Sequence, residues 1–289
     1  MISTIDAAAP INWDHSLARG LISWWRVVPE WSGGTLLHDL TGLNPGTYMG
    51  DMQPPTQTSG PNAPQFRGSF GEVRMDGSDD EVRLSGPLLG TSDTGTLVCR
   101  FRVVTTGLYA FFARVDAGGV ESTQLFCGGN STGAYTDESL GFVTTTSSVQ
   151  RLSMFVRKGT DFYNDNREHW IAVIVDGRDN RILIDGSRQT VSFAAGSATS
   201  RFFLNTVDTN SAAIGRRFIT ASPLYLNGAV DDILLYNRGI SNEEALQLYQ
   251  DSTVLLRRIK RYYSLPLAAG GFLAAWAAQR SGLIGGGVR

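Results

Sequence analysis

Residues 169–186 read HWIAVIVDGRDNRILIDG, and this stretch is the most informative about the fold. Two apolar runs of strand length flank a short tip, and turn-forming residues occupy nearly every tip position from Gly177 to Asn180. Gly, Asn and Asp accept turn dihedral angles, so such a tip can reverse the chain within a few residues. The stretch therefore predicts an antiparallel β-hairpin.

Further strand-like runs surround the hairpin, with turn residues between them. Amphipathic helix patterns are nearly absent before position 241, and many short alternating runs are typical of an antiparallel sandwich. We predict an all-β fold: a two-sheet antiparallel jelly-roll sandwich with one short C-terminal helix and an extended C-terminal arm. The runs outside the hairpin cover 95–104, 108–115, 122–129, 151–157 and 228–237.

The predicted helix begins in SNEEALQLY, residues 241–249. Ser241 can accept a hydrogen bond from the helix N-terminus, and a Glu three residues later completes the pattern of a capping box. Leu246 and Tyr249 share a face that Ala245 and Leu248 extend. We expect this helix to pack against an edge or end of the sandwich.

Four motifs in order carry a resemblance to a known superfamily. The strand-rich opening at 17–50, the strand–turn–strand FGEVRMDGSDDEVRLSG at 70–86, the hairpin at 169–186 and the closing LNGAVDDILLYNRGISNEEALQLY at 226–249 resemble laminin-G-like members of the concanavalin A-like lectin/glucanase superfamily. The resemblance covers about 17–251 and implies a two-sheet jelly roll. It implies no single function, because the superfamily includes lectins, glycosidases, adhesion modules and structural domains.

The two ends of the chain differ from the predicted sandwich. We predict an N-terminal arm at 1–16, the laminin-G-like sandwich at 17–251 and a basic, apolar C-terminal arm at 252–289. The formal net charge of the chain is −2, so bulk charge does not favour nucleic acid. Residues 253–289 nevertheless carry six basic residues and no acidic residue.

The C-terminal arm predicts a docking segment. A tail that stays in water is normally polar, whereas this one combines a basic cluster with apolar and aromatic residues, which mark interaction surfaces. Two alternatives remain open: the tail folds back onto its own sandwich, or its basic and aromatic residues bind nucleic acid, which is the weaker alternative. The residues expected to dock are Arg257, Arg258, Lys260, Arg261, Tyr262, Tyr263, Phe272 and Trp276.

Catalytic patterns are missing from the sequence. Retaining glycosidases need two carboxylates about 5 Å apart, which one strand supplies only at a spacing of two or four residues. Strict alternation places the neighbouring Asp231 and Asp232 on opposite faces, so we expect no acid/base pair there. His15, His38 and His169 show no metal-ligand spacing. We therefore predict that the protein is not an enzyme.

Calcium is the one cofactor that the sequence leaves open, since a hard cation prefers carboxylate and carbonyl oxygens. The candidate ligands are Asp76, Asp79 and Asp80 in one loop, or Asp231 and Asp232. The alternative, which we favour, is that these aspartates hydrogen-bond to their own turns, so that no cofactor is bound.

Tryptophan and cysteine residues are the remaining candidates for ligand contacts or for the core. Trp31 lies in a predicted loop and is the candidate for stacking on a sugar ring, with packing at the rim of the sandwich as the alternative. Trp24 and Trp25 alternate in one strand, so at least one of them belongs to the core. Cys99 and Cys127 lie in apolar runs, which favours buried free thiols over a disulfide.

Three functions fit these observations. The first is a structural or attachment subunit of a large assembly, similar at family level to sandwich proteins of tailed-phage virions, with other subunits and copies of itself as partners. The second is a carbohydrate-binding adhesin, and the third is a glycan-active enzyme. No secretory signal and no membrane span are predicted, so we expect a virion protein assembled in the host cytoplasm.

Overall fold

The fold was analysed in a computed structural model of the chain. It describes residues 11–26, 36–50, 65–67, 70–85, 90–104, 109–116, 121–128, 139–157, 163, 165–204, 211–217 and 224–256, and in 65–67, in 70–72 and at Ser85 only the backbone. Trp31 and the predicted docking residues from Arg257 to Trp276 lie outside these ranges.

The described residues form many short β-strands, as the alternating runs predict. In chain order the strands are β1 Leu21–Arg26, β2 Leu36–Leu37, β3 Gly46–Met49, β4 Gln65–Arg67, β5 Phe70–Asp76, β6 Glu81–Ser85, β7 Gly95–Val103, β8 Tyr109–Val115, β9 Ser122–Cys127, β10 Ser139–Thr146, β11 Val149–Arg157, β12 His169–Val175, β13 Arg181–Ile184, β14 Ser187–Arg188, β15 Ser192–Ala195, β16 Ser211–Ile214, β17 Arg216–Arg217, β18 Leu224–Tyr225 and β19 Asn227–Tyr236.

Two large antiparallel sheets contain most of these strands. The first sheet has the order β14-β13-β12-β7-β19-β5-β4, and β1 also pairs with β19. The second sheet has the order β15-β11-β10-β9-β8-β16-β6-β3-β2, and β17 pairs with β18 separately. The predicted two-sheet antiparallel sandwich is confirmed, and the hairpin predicted at 169–186 is β12 paired with β13.

The inner core lies between the two sheets. It buries aromatic and branched side chains of both inner faces, which alternate along the strands with residues of the outer faces. Trp25 faces this core, and both Cys99 and Cys127 are buried free thiols within it, as predicted.

A second apolar cluster covers the outer face of the first sheet. Trp24 belongs to this cluster, so alternation along β1 divides the two neighbouring tryptophans between the two layers. The helix α1, Asn242–Gln250, packs here through its buried Ala245 and Leu248. Leu246, expected on the buried face, is 41% exposed.

The helix begins with the predicted capping box. The Ser241 side chain accepts a hydrogen bond from the backbone N–H of Glu244, whose carboxylate accepts one from the backbone N–H of Ser241. The two short 3-10 helices, Ser16–Ala18 and Ser252–Leu255, flank the same outer face.

Both ends of the described chain pack against this outer cluster. Ile11 pairs with Leu256 in an isolated bridge, and both side chains are buried. The backbone N–H of Asn12 donates to the carbonyl oxygen of Leu255 at 2.7 Å. Residues on both sides of the predicted sandwich limits therefore contribute to its packing. No helix among the residues with described positions is long and apolar enough to cross a bilayer.

Candidate functional site

The structure brings the three aspartates of the predicted calcium loop together. The loop joins β5 of the first sheet to β6 of the second, and one carboxylate oxygen each of Asp76, Asp79 and Asp80 lies within 4.8 Å of the others. Oxygen ligands at such spacing suit a hard cation such as calcium. Calcium binding itself stays a prediction.

The same aspartates also hydrogen-bond to their own turn. Asp76 Oδ1 accepts from the backbone N–H of Ser78 at 2.7 Å, and Asp80 Oδ2 accepts from the backbone N–H of Asp76 at 2.9 Å. Gly50 closes the loop on one side, because a Cβ there would lie 2.7 Å from the carbonyl oxygen of Asp79. The turn is thus formed by these bonds before any ion is added.

Asp231 and Asp232 lie elsewhere, in the middle of β19. Asp76 pairs with Asn227, and Asp231 is four residues further along that strand, on the order of 13 Å away at the rise of a β-strand. The two sets of candidate calcium ligands therefore belong to different parts of the sheet.

A β-bulge determines where these two aspartates point. Val230 and Ile233 both face the inner core although they are three residues apart, and the register of β19 with β7 shifts between them. One extra residue is therefore inserted in β19, which places Asp231 and Asp232 together on the outer side of the first sheet. The prediction that they point to opposite faces is wrong, because it assumed unbroken alternation.

Asp232 is held by three side chains of the outer layer, two from β1 and one from the 3-10 helix Ser252–Leu255. Its Oδ1 accepts a hydrogen bond from Trp24 Nε1 at 2.9 Å, and its Oδ2 accepts one from Ser252 Oγ at 2.8 Å. Arg26 Nε lies 3.5 Å from Oδ1, and both side chains of this pair are 3% exposed. Asp232 therefore compensates a buried guanidinium.

Asp231 has a different environment. Its Oδ1 is buried without a hydrogen-bond partner. Burial raises the pKa of Asp231 well above its usual value, and the negative charge of Asp232 raises it further, while Arg26 and Arg100 act in the opposite direction. Burial next to a second carboxyl thus favours the protonated form of Asp231.

An open cavity of about 470 Å³ lies at the end of the sandwich where the β12–β13 hairpin turns. Four segments distant in sequence form its wall, and no sequence motif predicts that they meet. Its lining residues are Thr94, Asp176, Arg178, Arg181, Arg201, Gly239, Ile240 and Ser241.

Arg181 joins the segments beneath the cavity. Its side chain is 8% exposed, and Nη1 donates to Asp176 Oδ2 at 2.5 Å. Nε donates to Asn242 Oδ1 at 2.8 Å, and Nη2 donates to the carbonyl oxygen of Ile240 at 2.7 Å. The hairpin tip and the start of α1 are therefore fixed to one another by a single guanidinium.

Asn180 fixes the other wall. Its Oδ1 accepts from the backbone N–H groups of Asp176 and Gly177, both at 3.1 Å, and closes the hairpin tip. Its Nδ2 donates to the carbonyl oxygens of Ser197 at 3.1 Å and Ser200 at 2.8 Å. The turn that precedes Arg201 is thereby tied to the hairpin.

No protein-family model matches the chain, and no curated protein matches it. Solved structures do match. Domain 4 of AbnA, a GH43 extracellular arabinanase from Geobacillus stearothermophilus, in complex with arabinotriose, has a TM-score of 0.54 at 16% identity; the match covers 80% of this chain and 98% of that one.

Two further structures are similar. A receptor-binding domain has a TM-score of 0.52 at 11% identity, and the match covers 83% of this chain and 52% of that one. Trypanosoma rangeli sialidase in complex with the inhibitor DANA has a TM-score of 0.50 at 12% identity, with 89% and 37% covered. The chain thus spans about half of the former and over a third of the latter.

At these identities the similarity is one of fold, and it agrees with the concanavalin A-like sandwich that the sequence resembles. The prediction that the protein is not an enzyme is contradicted, because the fold is shared with domains of glycan-active enzymes. That prediction considered only carboxylates that lie two or four residues apart on an unbroken strand. A bulge or separate strands can bring carboxylates together at other spacings.

Proposed function

We propose that this protein is a glycan-binding sandwich that serves as the attachment module of a larger assembly. The observation that carries the proposal is the open, polar cavity at the hairpin end of a sandwich similar to AbnA domain 4, which was solved with arabinotriose. A cavity of about 470 Å³ is in the size class of small-molecule sites.

The polar groups of the cavity suit sugar hydroxyls. Thr94 offers a hydroxyl that donates and accepts hydrogen bonds, Ser241 Oγ offers its remaining lone pair as an acceptor, and Arg178 and Arg201 offer several N–H donors. Arg181 and Asn180 hold the wall segments in place, so little ordering is needed when a ligand binds. This combination supports recognition of a saccharide by hydrogen bonds.

We propose a virion of a tailed phage, put together in the host cytoplasm, with the sandwich facing outward and residues 257–289 docked on neighbouring subunits, which include copies of this chain. The basic cluster and aromatic residues of that segment support docking, since aromatic anchors commonly dominate interface energies.

Glycan binding can be tested with the full chain on an array of plant, bacterial and animal glycans, followed by calorimetry. We expect micromolar to millimolar affinity for a defined saccharide set. Thr94→Phe, which fills the cavity, is expected to abolish this binding, whereas Thr190→Phe, at an exposed position outside the cavity, is the matched control. Binding that survives Thr94→Phe unchanged would exclude the cavity as the site.

A second candidate function is glycan hydrolysis, favoured by the pairing of Asp231 with Asp232 at the bulge. Two neighbouring carboxyls, of which one has a raised pKa, are an arrangement that acid/base chemistry on a glycosidic bond uses. Release of reducing sugar from the saccharides that bind, lost in Asp231→Asn, would establish it. Wild-type protein that releases none from any bound saccharide would dismiss this candidate.

A further inference from the structure

The charges around the hairpin-end cavity do not balance. Three of its lining residues are arginines and one is an aspartate. The aspartate, Asp176, is bonded to Arg181, so this pair contributes no net charge. Arg178 and Arg201 remain as two further positive charges on the cavity wall.

These two guanidiniums have no protein counterion in the described part of the chain. Both side chains belong to exposed residues, and neither forms a hydrogen bond or an ion pair there. The nearby acidic groups are already engaged: Asp179 Oδ1 accepts from Arg188, and Glu244 binds Arg238. Glu243 is exposed and accepts a hydrogen bond from Ser241 Oγ at 2.7 Å.

The backbone holds both arginines at the cavity. Arg178 follows directly after Gly177, and its N–H donates to Asp176 Oδ1 at 2.8 Å. The Arg201 side chain lies across Gly177, which has φ +71°, so closely that a Cβ there would be 2.6 Å from Arg201 Nε. The guanidinium of Arg201 is therefore supported by the hairpin tip rather than extended freely into water.

A ligand for this cavity needs both an anionic group and hydroxyls. Arginine pairs with carboxylates and sulfates through two parallel hydrogen bonds, and uncompensated positive charges in a cleft attract anions. An inorganic anion, a few times the roughly 30 Å³ of a water molecule, would leave most of the 470 Å³ empty. The remaining space meets the hydroxyls of Thr94 and Ser241.

We propose that the cavity binds an acidic saccharide, with its carboxylate or sulfate between Arg178 and Arg201 and its hydroxyls towards Thr94 and Ser241. This inference rests on the proposed glycan binding and specifies the class of glycan.

The test compares charged and neutral ligands of one size on the full chain. Calorimetry is carried out with a trigalacturonic acid, a sulfated trisaccharide, their neutral counterparts, arabinotriose and sodium sulfate. We expect at least one acidic saccharide to bind about tenfold more tightly than its neutral counterpart, since a charged hydrogen bond is worth that much or more. High salt should reduce this preference.

Arginine variants locate the effect. Arg178→Gln and Arg201→Gln should each weaken acidic-saccharide binding about tenfold and neutral-saccharide binding by a smaller factor, because Gln still donates hydrogen bonds but carries no charge. Arg167→Gln is the matched control, because Arg167 lies before the other end of β12, its side chain is 82% exposed and its loss lowers the net charge equally.

The outcomes separate the two proposals. Equal affinity for acidic and neutral saccharides, or no effect of Arg178→Gln and Arg201→Gln, overturns the acidic-sugar inference and leaves glycan binding standing. Sulfate that binds as tightly as the acidic sugars overturns it too, because the cavity is then a site for a bare anion. Failure of every saccharide to bind overturns the proposed function together with this inference.

Discussion

At the scale of single residues, Asp232 links two segments that are far apart in sequence, the strand β1 and the 3-10 helix Ser252–Leu255. Its carboxylate accepts hydrogen bonds from Trp24 Nε1 and Ser252 Oγ and lies 3.5 Å from Arg26 Nε. A buried ion pair stabilises little relative to a well-packed apolar pair, but removal of one partner leaves the other charge buried and uncompensated.

We therefore predict that Asp232→Ala lowers the free energy of unfolding by about 3–5 kcal/mol, because it removes the carboxylate that pairs with Arg26 Nε and accepts hydrogen bonds from Trp24 and Ser252. Urea denaturation at neutral pH measures the difference. Asp14→Ala, at an exposed position, is the control and should change stability by less than about 0.5 kcal/mol. A loss below about 1 kcal/mol for Asp232→Ala would mean that the Arg26–Asp232 pair relaxes into water.

His169 is bonded by carboxylates on both sides. Its Nδ1 lies 2.9 Å from Asp185 Oδ2, and its Nε2 lies 3.1 Å from Asp165 Oδ1, while the ring of Tyr163 packs edge-on against the imidazole. Burial lowers the pKa of His169, but the hydrogen bonds to Asp185 and Asp165 outweigh it, and the pKa is raised above 6.5.

The direction of the resulting pH dependence follows from that shift. A group whose pKa is higher in the folded protein contributes stability that is complete below the unfolded value and is lost as the pH rises through the folded value. Asp165 has the opposite sign: although burial raises its pKa, its bonds to the Arg167 backbone and to His169 lower it below 3.8, so its contribution is lost in acid.

We predict that the stability difference between wild type and His169→Gln is constant from about pH 4.5 to 6 and shrinks as the pH rises above 6.5. Asp185→Asn should lower the His169 pKa, which NMR titration of the ring reports directly. A stability difference that does not vary between pH 5 and 9 contradicts the charged pair.

At the scale of secondary-structure elements, sequence patterns predicted the features that depend on interactions between residues close together in the chain. Alternating apolar runs predicted seven of the strands, turn chemistry predicted the β12–β13 hairpin, and Ser241 with Glu244 predicted the first turn of α1. These features depend on neighbours within a few residues. Sequence rules could therefore identify them without knowledge of the tertiary structure.

The elements that were missed depend on distant partners. The bulge at Asp231 places Asp232 in contact with Trp24, Arg26 and Ser252, none of which adjoins it in sequence. The cavity at the hairpin end needs Arg181 to bind both Asp176 and the segment before α1. No spacing pattern reports such convergence, so the candidate site had to come from the structure.

The turn between β5 and β6 is the element in which calcium can be tested. We predict that calcium at about 100 times its dissociation constant stabilises the fold by about 2.7 kcal/mol through mass action. Asp79→Ala removes one exposed ligand and should abolish the calcium-dependent rise in Tm, whereas Asp14→Ala should leave it intact. The hypothesis fails if chelator and added calcium leave the wild-type Tm the same.

At the scale of the whole molecule, the boundary between sandwich and arm matters. The sequence pattern predicted this boundary after residue 251. In the structure, however, Ser252 Oγ donates a hydrogen bond to Asp232, and Leu255 and Leu256 are buried in the outer cluster. A deletion that begins at 252 therefore removes part of the sandwich together with the predicted docking segment. A deletion that begins at 257 removes the docking segment alone.

Two truncations should behave differently for this reason. Loss of residues 257–289 is expected to leave Tm within a few degrees of the full chain and to abolish assembly, measured by light scattering and by incorporation into the native particle. Loss of 252–289 exposes the surfaces under two buried leucines and removes the hydrogen bond from Ser252 Oγ to Asp232, so stability should fall by about 4 kcal/mol or more. If the shorter deletion already unfolds the sandwich, residues 257–289 belong to its own core. If the chain without residues 257–289 still assembles at full occupancy, another segment anchors it. The docking role predicted for the basic and aromatic residues from Arg257 to Trp276 is then wrong.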